Sequence, residues 1–408
     1  MSKTLEGNPK TVTLNGNKVL FRVLNPLYKE EKPLIILSST FHTYQDLNST
    51  INYLSKVYPV IFVDLPDFGE NFQNKMMNFT ELADLFYEFC DYMNLKDFHL
   101  MGLSDSSYVC HYFSSKTPEF VDKLILQGFC SNLRPSVRIL LNDHLKELEK
   151  SNFEEFVSGM LLTLRNYTKK YRIHLFSDGV KRLKARFESF YQSDRLKVLQ
   201  NALERIIDHG ELPPVKRVKT LLISGEWDQF SSAYDHFLVS KKFENVRLTI
   251  LDHEDHFFNY STGELLPLMT LRFLLKKDLS TIKGVRLYRE KVFPIAKRTL
   301  LPRAQVDVMA YVDAGNGVNV PINVMDINAG GCQLFTIFNK HKTLKNQKLI
   351  LKIERPGKDD LEMNLLIFKH SYKGTFKGVF SHRDVSKIDE IEAYIQQKEF
   401  EMNMQRAV

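Results

Sequence analysis

The chain has 408 residues and a formal net charge of +7, with 43% hydrophobic and 26% charged residues. That is enough apolar material for two or three packed domains, and 18 glycines and 14 prolines are too few for a collagenous or low-complexity chain. No apolar run is long enough to cross a bilayer as a helix, and the polar start MSKTLEGNPKTVTLNGNKVLF lacks a secretory signal's apolar stretch.

In chain order, residues 10–24 alternate in hydrophobicity and predict an antiparallel hairpin turning at Asn15-Gly16. Between residues 33 and 127, LIIL (34–37), PVIFVDL (59–65), FHLMGL (98–103) and KLILQG (123–128) read as buried strands. The amphipathic stretches near 46–57, 80–94 and 105–116 read as helices. Regular alternation of this kind predicts a parallel sheet with helical crossovers. Residues 131–212 are charged, amphipathic and helical throughout, and strands return at VKTLLISG (218–225) and NVRLTILD (245–252), before a helix over 262–277. A helical insertion thus interrupts one α/β domain, residues 1–280.

From about residue 284 the pattern becomes short strands at close spacing, from RAQVDVMAYVD to TFKGVFSH, closed by a helix over 387–402. Residues 284–408 therefore predict a small antiparallel barrel. They carry 20 Lys+Arg against 14 Asp+Glu, so six of the seven excess positive charges lie there. Arg286, Arg289, Lys291, Lys297, Arg298 and Arg303 face one acid, Glu290. Such a cluster suits a phosphate-bearing partner or is a solvated connector. No aromatic residues interleave to form a stacking platform, so a nucleic-acid polymer is not expected. Cys90, Cys110, Cys130 and Cys332 lack C-x-x-C spacing and read as buried, reduced thiols of a cytoplasmic protein. No metal is expected, because His253 and His256 have no further ligand set near in sequence.

Chemistry is concentrated at three strand ends. Gly102-Leu103-Ser104-Asp105-Ser106 joins a predicted strand to a predicted helix, a turn that exposes a serine hydroxyl beside helix N-terminal N–H groups. Asp228 follows the strand ending at Gly225, and His256 follows the strand ending near Asp252. In an open parallel sheet these carboxyl ends lie together, so serine, acid and histidine can form a nucleophile, an orienting acid and a base. Taken singly, Ser104 and Asp228 are also good helix caps, and His256 reads equally as a hydrogen-bonded surface histidine.

With that order of residues, 10–280 resembles an α/β-hydrolase-fold domain, with 131–212 as its cap. Asp64-Leu65-Pro66-Asp67-Phe68-Gly69-Glu70 resembles the family's D-x-x-G-x-G-x-S turn, with Asp67 where glycine is usual, and Pro118-Glu119-Phe120-Val121 its P-E-x-V run. The resemblance implies Ser104 as nucleophile, Asp228 as acid and His256 as base. His253 competes for the last role; His256 is preferred because His-Phe-Phe leads into a helix. The implied oxyanion donors are the backbone N–H groups of Thr40 and Asp105. Two departures stand out: Ser106-Ser107 replaces the family's glycines, and Ser38-Ser39-Thr40-Phe41 replaces its His-Gly.

Lys-Arg-Thr-Leu-Leu-Pro-Arg (297–303) precedes one barrel strand and Asp-Ile-Asn-Ala-Gly-Gly (326–331) follows another. With the Phe-Lys-Gly-Val-Phe strand and closing helix, residues 284–402 resemble a PilZ domain, a family that binds cyclic di-GMP through R-x-x-x-R and [DN]-x-S-x-x-G segments. The resemblance implies that Lys297, Arg298 and Arg303 clamp the nucleotide while Asp326, Asn328 and Gly331 contact it from the barrel. The arginines here are one residue further apart than in that pattern, and Asn328 stands for serine. The hexapeptide also reads as a plain glycine turn. Two functions are therefore expected. One is a bacterial, cyclic di-GMP-tuned serine hydrolase that acts on a small ester, thioester or acyl substrate without a catalytic cofactor. The other is a silent hydrolase-fold adaptor that binds the nucleotide and a protein partner.

Overall fold

The computed structural model describes residues 7–25, 32–166, 178–192, 195–257, 264–288, 293, 303–313, 319–336, 348–370 and 374–406. They form two compact units, one of residues 1–132 and 176–294 and the other of residues 133–175 and 295–408.

The first unit is built on a nine-stranded sheet. The hairpin β1 (Lys10–Leu14) and β2 (Asn17–Leu24) turns at Asn15-Gly16 as its sequence requires, both residues having positive φ. Then follow β3 (Leu34–Leu37), α1 (Tyr44–Leu54), β4 (Val60–Asp64), α2 (Phe79–Tyr92), β5 (Phe98–Leu103), α3 (Ser106–Lys116) and β6 (Val121–Gln127). β7 (Val215–Gly225), α8 (Ala233–Ser240), β8 (Phe243–Leu251) and α9 (Leu265–Leu274) complete the alternation. The strand order is β1-β2-β4-β3-β5-β6-β7-β8-β9, parallel from β4 to β8. The last strand, β9 (Val285–Tyr288), pairs antiparallel with β8, although it falls on the barrel side of the boundary expected at 284.

Continuous apolar runs explain the central strands, which are buried on both faces. One face packs Leu47, Ile51 and Leu54 of α1 with Met269 and Phe273 of α9. Elsewhere α2 meets α3 through Phe86, which contacts the rings of Phe89, Phe98 and Phe113. Capping boxes at Thr43/Asp46, Asn78/Glu81 and Ser232/Asp235 start α1, α2 and α8.

The segment read as wholly helical contains α4 (Pro135–Glu149), α5 (Phe153–Leu164), α6 (Asp178–Gln192) and α7 (Leu196–Ile207). It is divided between the units: α4 and α5 cluster with the barrel, α6 and α7 with the sheet. The barrel closes in the order β10-β11-β12-β15-β14-β13, from β10 (Ala304–Asp313), β11 (Asn319–Asn328), β12 (Gly331–Phe335), β13 (Lys348–Ile353), β14 (Leu361–His370) and β15 (Thr375–Phe380). Ile391 and Tyr394 of the closing helix α10 (Val385–Arg406) enter its core. Asp143 of α4 ties the helical hairpin to this unit by accepting from Ser381 Oγ at 2.6 Å and pairing with Arg383 at 2.6 Å. No described helix is long and apolar enough to cross a membrane. All four cysteines are buried, with no disulfide between them.

Candidate active site

The turn between β5 and α3 holds Ser104 at φ +53°, a conformation that costs a non-glycine residue about 1–3 kcal/mol and persists only where its surroundings enforce it. They do so here. A Cβ on Gly102 would stand 2.7 Å from Cys110 Sγ and 2.9 Å from Ser107 Cα, so only glycine lets the helix start this close to the strand. The serines in place of the family's glycines are absorbed by the backbone. Ser106 Oγ accepts from Leu103 N–H at 2.9 Å and lies 3.1 Å from Leu37 O, while Ser107 Oγ donates to Gln127 O at 2.8 Å.

Ser104, His256 and Asp228 meet in a buried line. Ser104 Oγ lies 3.1 Å from His256 Nε2, and His256 Nδ1 lies 2.9 Å from Asp228 Oδ2. With Nδ1–H donated to the carboxylate, the Nε2 lone pair faces the serine hydroxyl. Burial acts to raise the Asp228 pKa, but the adjacent His256, its hydrogen bond, His236 and the Ser231 N–H together hold it below the usual carboxylate value. Asp228 Oδ1 also accepts from Phe230 N–H at 2.9 Å and Ser231 N–H at 2.8 Å, and Oδ2 from Ser231 Oγ at 2.8 Å.

His253, the competing base, points elsewhere: its side chain is 75% exposed and lies 3.7 Å from Glu226 Oε2. Glu226 and Asp252 are clasped by Arg286 of β9.

The expected oxyanion donors are close together but differently employed. Thr40 N–H is donated to the Asp105 carboxylate, 3.2 Å from Oδ1 and 3.3 Å from Oδ2, and the Thr40 hydroxyl reaches Oδ2 at 2.6 Å. The Thr40 N–H expected to face an oxyanion is thus taken by the Asp105 side chain. From α6, Arg186 Nη2 donates to Thr40 O and Gly69 O and fastens this segment to the β4 turn. There Asp67, at φ +64°, does what glycine would do for the backbone, and its Oδ1 accepts from the N–H groups of Gln73 and Asn74 at 2.9 Å each.

Several neighbours were invisible to motif reasoning. Gly128 lies against the His256 ring, Gln127 Nε2 donates to His256 O at 2.8 Å, and His236 Nε2 accepts from Gly128 N–H at 3.1 Å. Ser231, three residues past the acid, was the one with a readable signal, an Asx-type turn. His42 is fully buried, stacks on Phe257 at 5.1 Å, and is pushed down to about 4 chiefly by burial, so it is neutral beside the relay. Among the described residues no group of three or more His, Cys, Asp or Glu could hold a metal ion.

In the barrel unit, Arg303 pairs with Asp326. Asn328 Oδ1 accepts from Gly330 N–H at 3.0 Å within the turn. Gly331 has a local reason: a Cβ there would lie 2.3 Å from Gly378 O across the β12–β15 pair. Lys297 and Arg298 lie outside the described residues.

The family model for the alpha/beta hydrolase fold matches residues 33–261. The chain belongs to the α/β-hydrolase fold family. Among solved structures it is similar to an α/β hydrolase enzyme from a Medee basin deep-sea metagenome library, at 14% identity and TM-score 0.60, covering 66% of this chain and 98% of that one. It is also similar to an esterase from Exiguobacterium antarcticum (16% identity, TM-score 0.55, 66% and 99% covered). A thermophilic esterase from Thermogutta terrifontis gives 16% identity and TM-score 0.55, with 66% and 98% covered. At these identities the likeness is one of fold. No curated protein matches the chain.

Proposed function

We propose that the hydrolase unit cleaves a small ester, thioester or other acyl substrate. One observation carries this reading: the unbroken line from Ser104 Oγ through His256 to Asp228, at 3.1 and 2.9 Å. Ser104 Oγ attacks the carbonyl carbon as its proton passes to His256 Nε2, and Asp228 stabilises the imidazolium that forms. The carbonyl oxygen becomes an oxyanion whose expected donors are the Asp105 N–H and, once it is released from the Asp105 carboxylate, the Thr40 N–H. Collapse breaks the acyl–oxygen or acyl–sulfur bond, the imidazolium protonates the departing alcohol or thiol, and water repeats the sequence on the acyl-serine. The esterases among the structural neighbours support the substrate class. The test is covalent labelling by a fluorophosphonate. Wild type should be labelled at Ser104 and Ser104→Ala should not; an unlabelled wild type with ester turnover unaffected in Ser104→Ala defeats the proposal.

For the barrel we propose a cyclic di-GMP site formed by Lys297, Arg298, Arg303, Asp326, Asn328 and Gly331, in a cytoplasmic protein whose hydrolase the nucleotide tunes. Its support is the sequence pattern and the Arg303–Asp326 pair. A second reading, a silent hydrolase fold serving a protein partner, is favoured by one feature: the Thr40 N–H is already spent on Asp105.

A further inference from the structure

The same Thr40–Asp105 contact acquires a different meaning beside Arg205. Asp105 is 1% exposed, and its carboxylate stands where an oxyanion would draw the Thr40 N–H. Arg205, on α7, is 2% exposed, and none of its three guanidinium nitrogens has a hydrogen-bond partner among the described residues. Its guanidinium lies over the rings of Phe68 at 5.2 Å and Phe79 at 5.8 Å. Phe68 follows Asp67, whose carbonyl oxygen lies 3.5 Å from the Thr40 hydroxyl, so Arg205 overlies the turn that abuts Thr40. Burial raises the Asp105 carboxyl above its usual range against the Thr40 bond and the Arg205 charge, and burial lowers Arg205 against the charges of Asp105 and Asp67.

A buried guanidinium without an acceptor is costly, and so is a buried carboxylate held only by neutral donors, here the Thr40 amide and hydroxyl and the Ser106 backbone. Each lacks what the other supplies. A carboxylate–guanidinium contact is charge-assisted and suited to two parallel N–H···O bonds. We propose, on the hydrolase reading above, that Asp105 is a positioning residue that closes the oxyanion hole at rest, and that Arg205 draws its carboxylate aside when an acyl group enters. In the open arrangement Arg205 N–H groups donate to Asp105, and the Thr40 N–H turns to the developing oxyanion. Both groups stay buried in either arrangement, so the switch exchanges one hydrogen-bond partner of Asp105 for another. The substrate biases it because only the open arrangement offers the second oxyanion donor.

The test uses the full chain and two readouts, the rate of fluorophosphonate labelling at Ser104 and kcat with KM for a p-nitrophenyl ester. Asp105→Ala leaves the hole permanently open, and labelling should quicken about tenfold or more. Arg205→Met keeps the side chain's length while removing its charge; kcat should fall at least about tenfold with KM little changed, toward the loss of ~10²–10³ seen when one oxyanion donor is removed. Arg205→Lys should recover part of it. The decisive variant combines Asp105→Ala with Arg205→Met. It should match Asp105→Ala alone, because nothing remains for Arg205 to move. If Arg205→Met slows catalysis equally in both backgrounds, Arg205 is structural and the switch is wrong. A labelled wild type that Asp105→Ala does not accelerate also overturns the switch while leaving the hydrolase intact. Absence of labelling in wild type and Asp105→Ala alike overturns both.

Discussion

Gly128 leaves room for the imidazole of His256: a Cβ at that position would stand 2.8 Å from His256 Cε1, on a backbone at φ +73°. Gly128 follows β6 and His256 follows β8, so two loops are fitted to each other beside Ser104. Gly128→Ala should therefore displace the ring from Ser104 as well as strain the turn. The expected outcome is a loss of kcat of about 10²-fold, as a misplacement near 1 Å brings, in a protein that still melts cooperatively. Steady-state kinetics beside a melting curve checks this. Unchanged kcat would mean that the ring does not depend on that space.

Ser231 offers a finer probe. Its hydroxyl donates to Asp228 Oδ2, while Phe230 N–H and Ser231 N–H hold Oδ1. Removing the hydroxyl alone leaves the acid charged and still anchored. Ser231→Ala is expected to lower kcat about tenfold, the equivalent of one hydrogen bond to a charged group, whereas Asp228→Asn, which reverses the imidazole tautomer, should cost about 10⁴-fold. Equal losses in the two variants would show that Ser231 does more than support the acid.

How far these relationships were legible follows from their reach. Buried parallel strands announce themselves as apolar runs, so Leu34–Leu37 and Phe98–Leu103 were read to the residue. The hairpin at Asn15-Gly16 and the elbow at Ser104 are local backbone devices and equally visible. The short edge strand Val285–Tyr288 carries an arginine and no clear alternation, and its place depends on β8, about 35 residues earlier. The spacing of His253 and His256 does not rank them; the ion pairs of Glu226 and the burial of His256 do. Neither the Asp105 side chain on Thr40 nor Arg205 over Phe68 was visible, because the partners lie 65 positions and more apart and no motif joins them.

Asp64, at the end of β4, gives a prediction in pH. Burial, the dominant cause, pushes its carboxyl up from 3.8 to about 7. The folded state therefore binds a proton that the unfolded chain has released between about pH 4 and pH 7. Stability must fall as pH rises through that window and level off above it. Asp64→Asn keeps an acceptor for Glu70 N–H, which now bonds Oδ2 at 3.3 Å, and removes the ionisation. Relative to wild type the variant should gain stability from pH 4 to pH 7, by a few kcal/mol at most, since each pKa unit is worth about 1.4 kcal/mol. Urea unfolding at pH 5 and pH 8 measures it; a difference between the two proteins that is the same at both values refutes the assignment.

In the barrel the informative substitution is Arg303→Ala. Arg303 and Asp326 are partly exposed, at 31% and 13% of their side-chain surface, and a pair of that kind adds only about 0–1 kcal/mol to stability. The variant should consequently fold as wild type does, and any lost binding belongs to the contact itself. Gly331 is the wrong place to ask the same question, because a Cβ 2.3 Å from Gly378 O would disturb the β12–β15 pairing before a ligand is involved. If the guanidinium grips cyclic di-GMP, calorimetry should show wild type binding and Arg303→Ala weakened by about 2–4 kcal/mol, the loss of a charge-assisted two-pronged contact. Asp326→Ala separates two roles for the acid. A carboxylate that only holds Arg303 in place leaves a weaker but measurable affinity, whereas one that accepts from the guanine edge loses as much as the arginine variant. Affinity retained in Arg303→Ala would move the clamp elsewhere, and no heat with wild type at high micromolar nucleotide would remove cyclic di-GMP from the account.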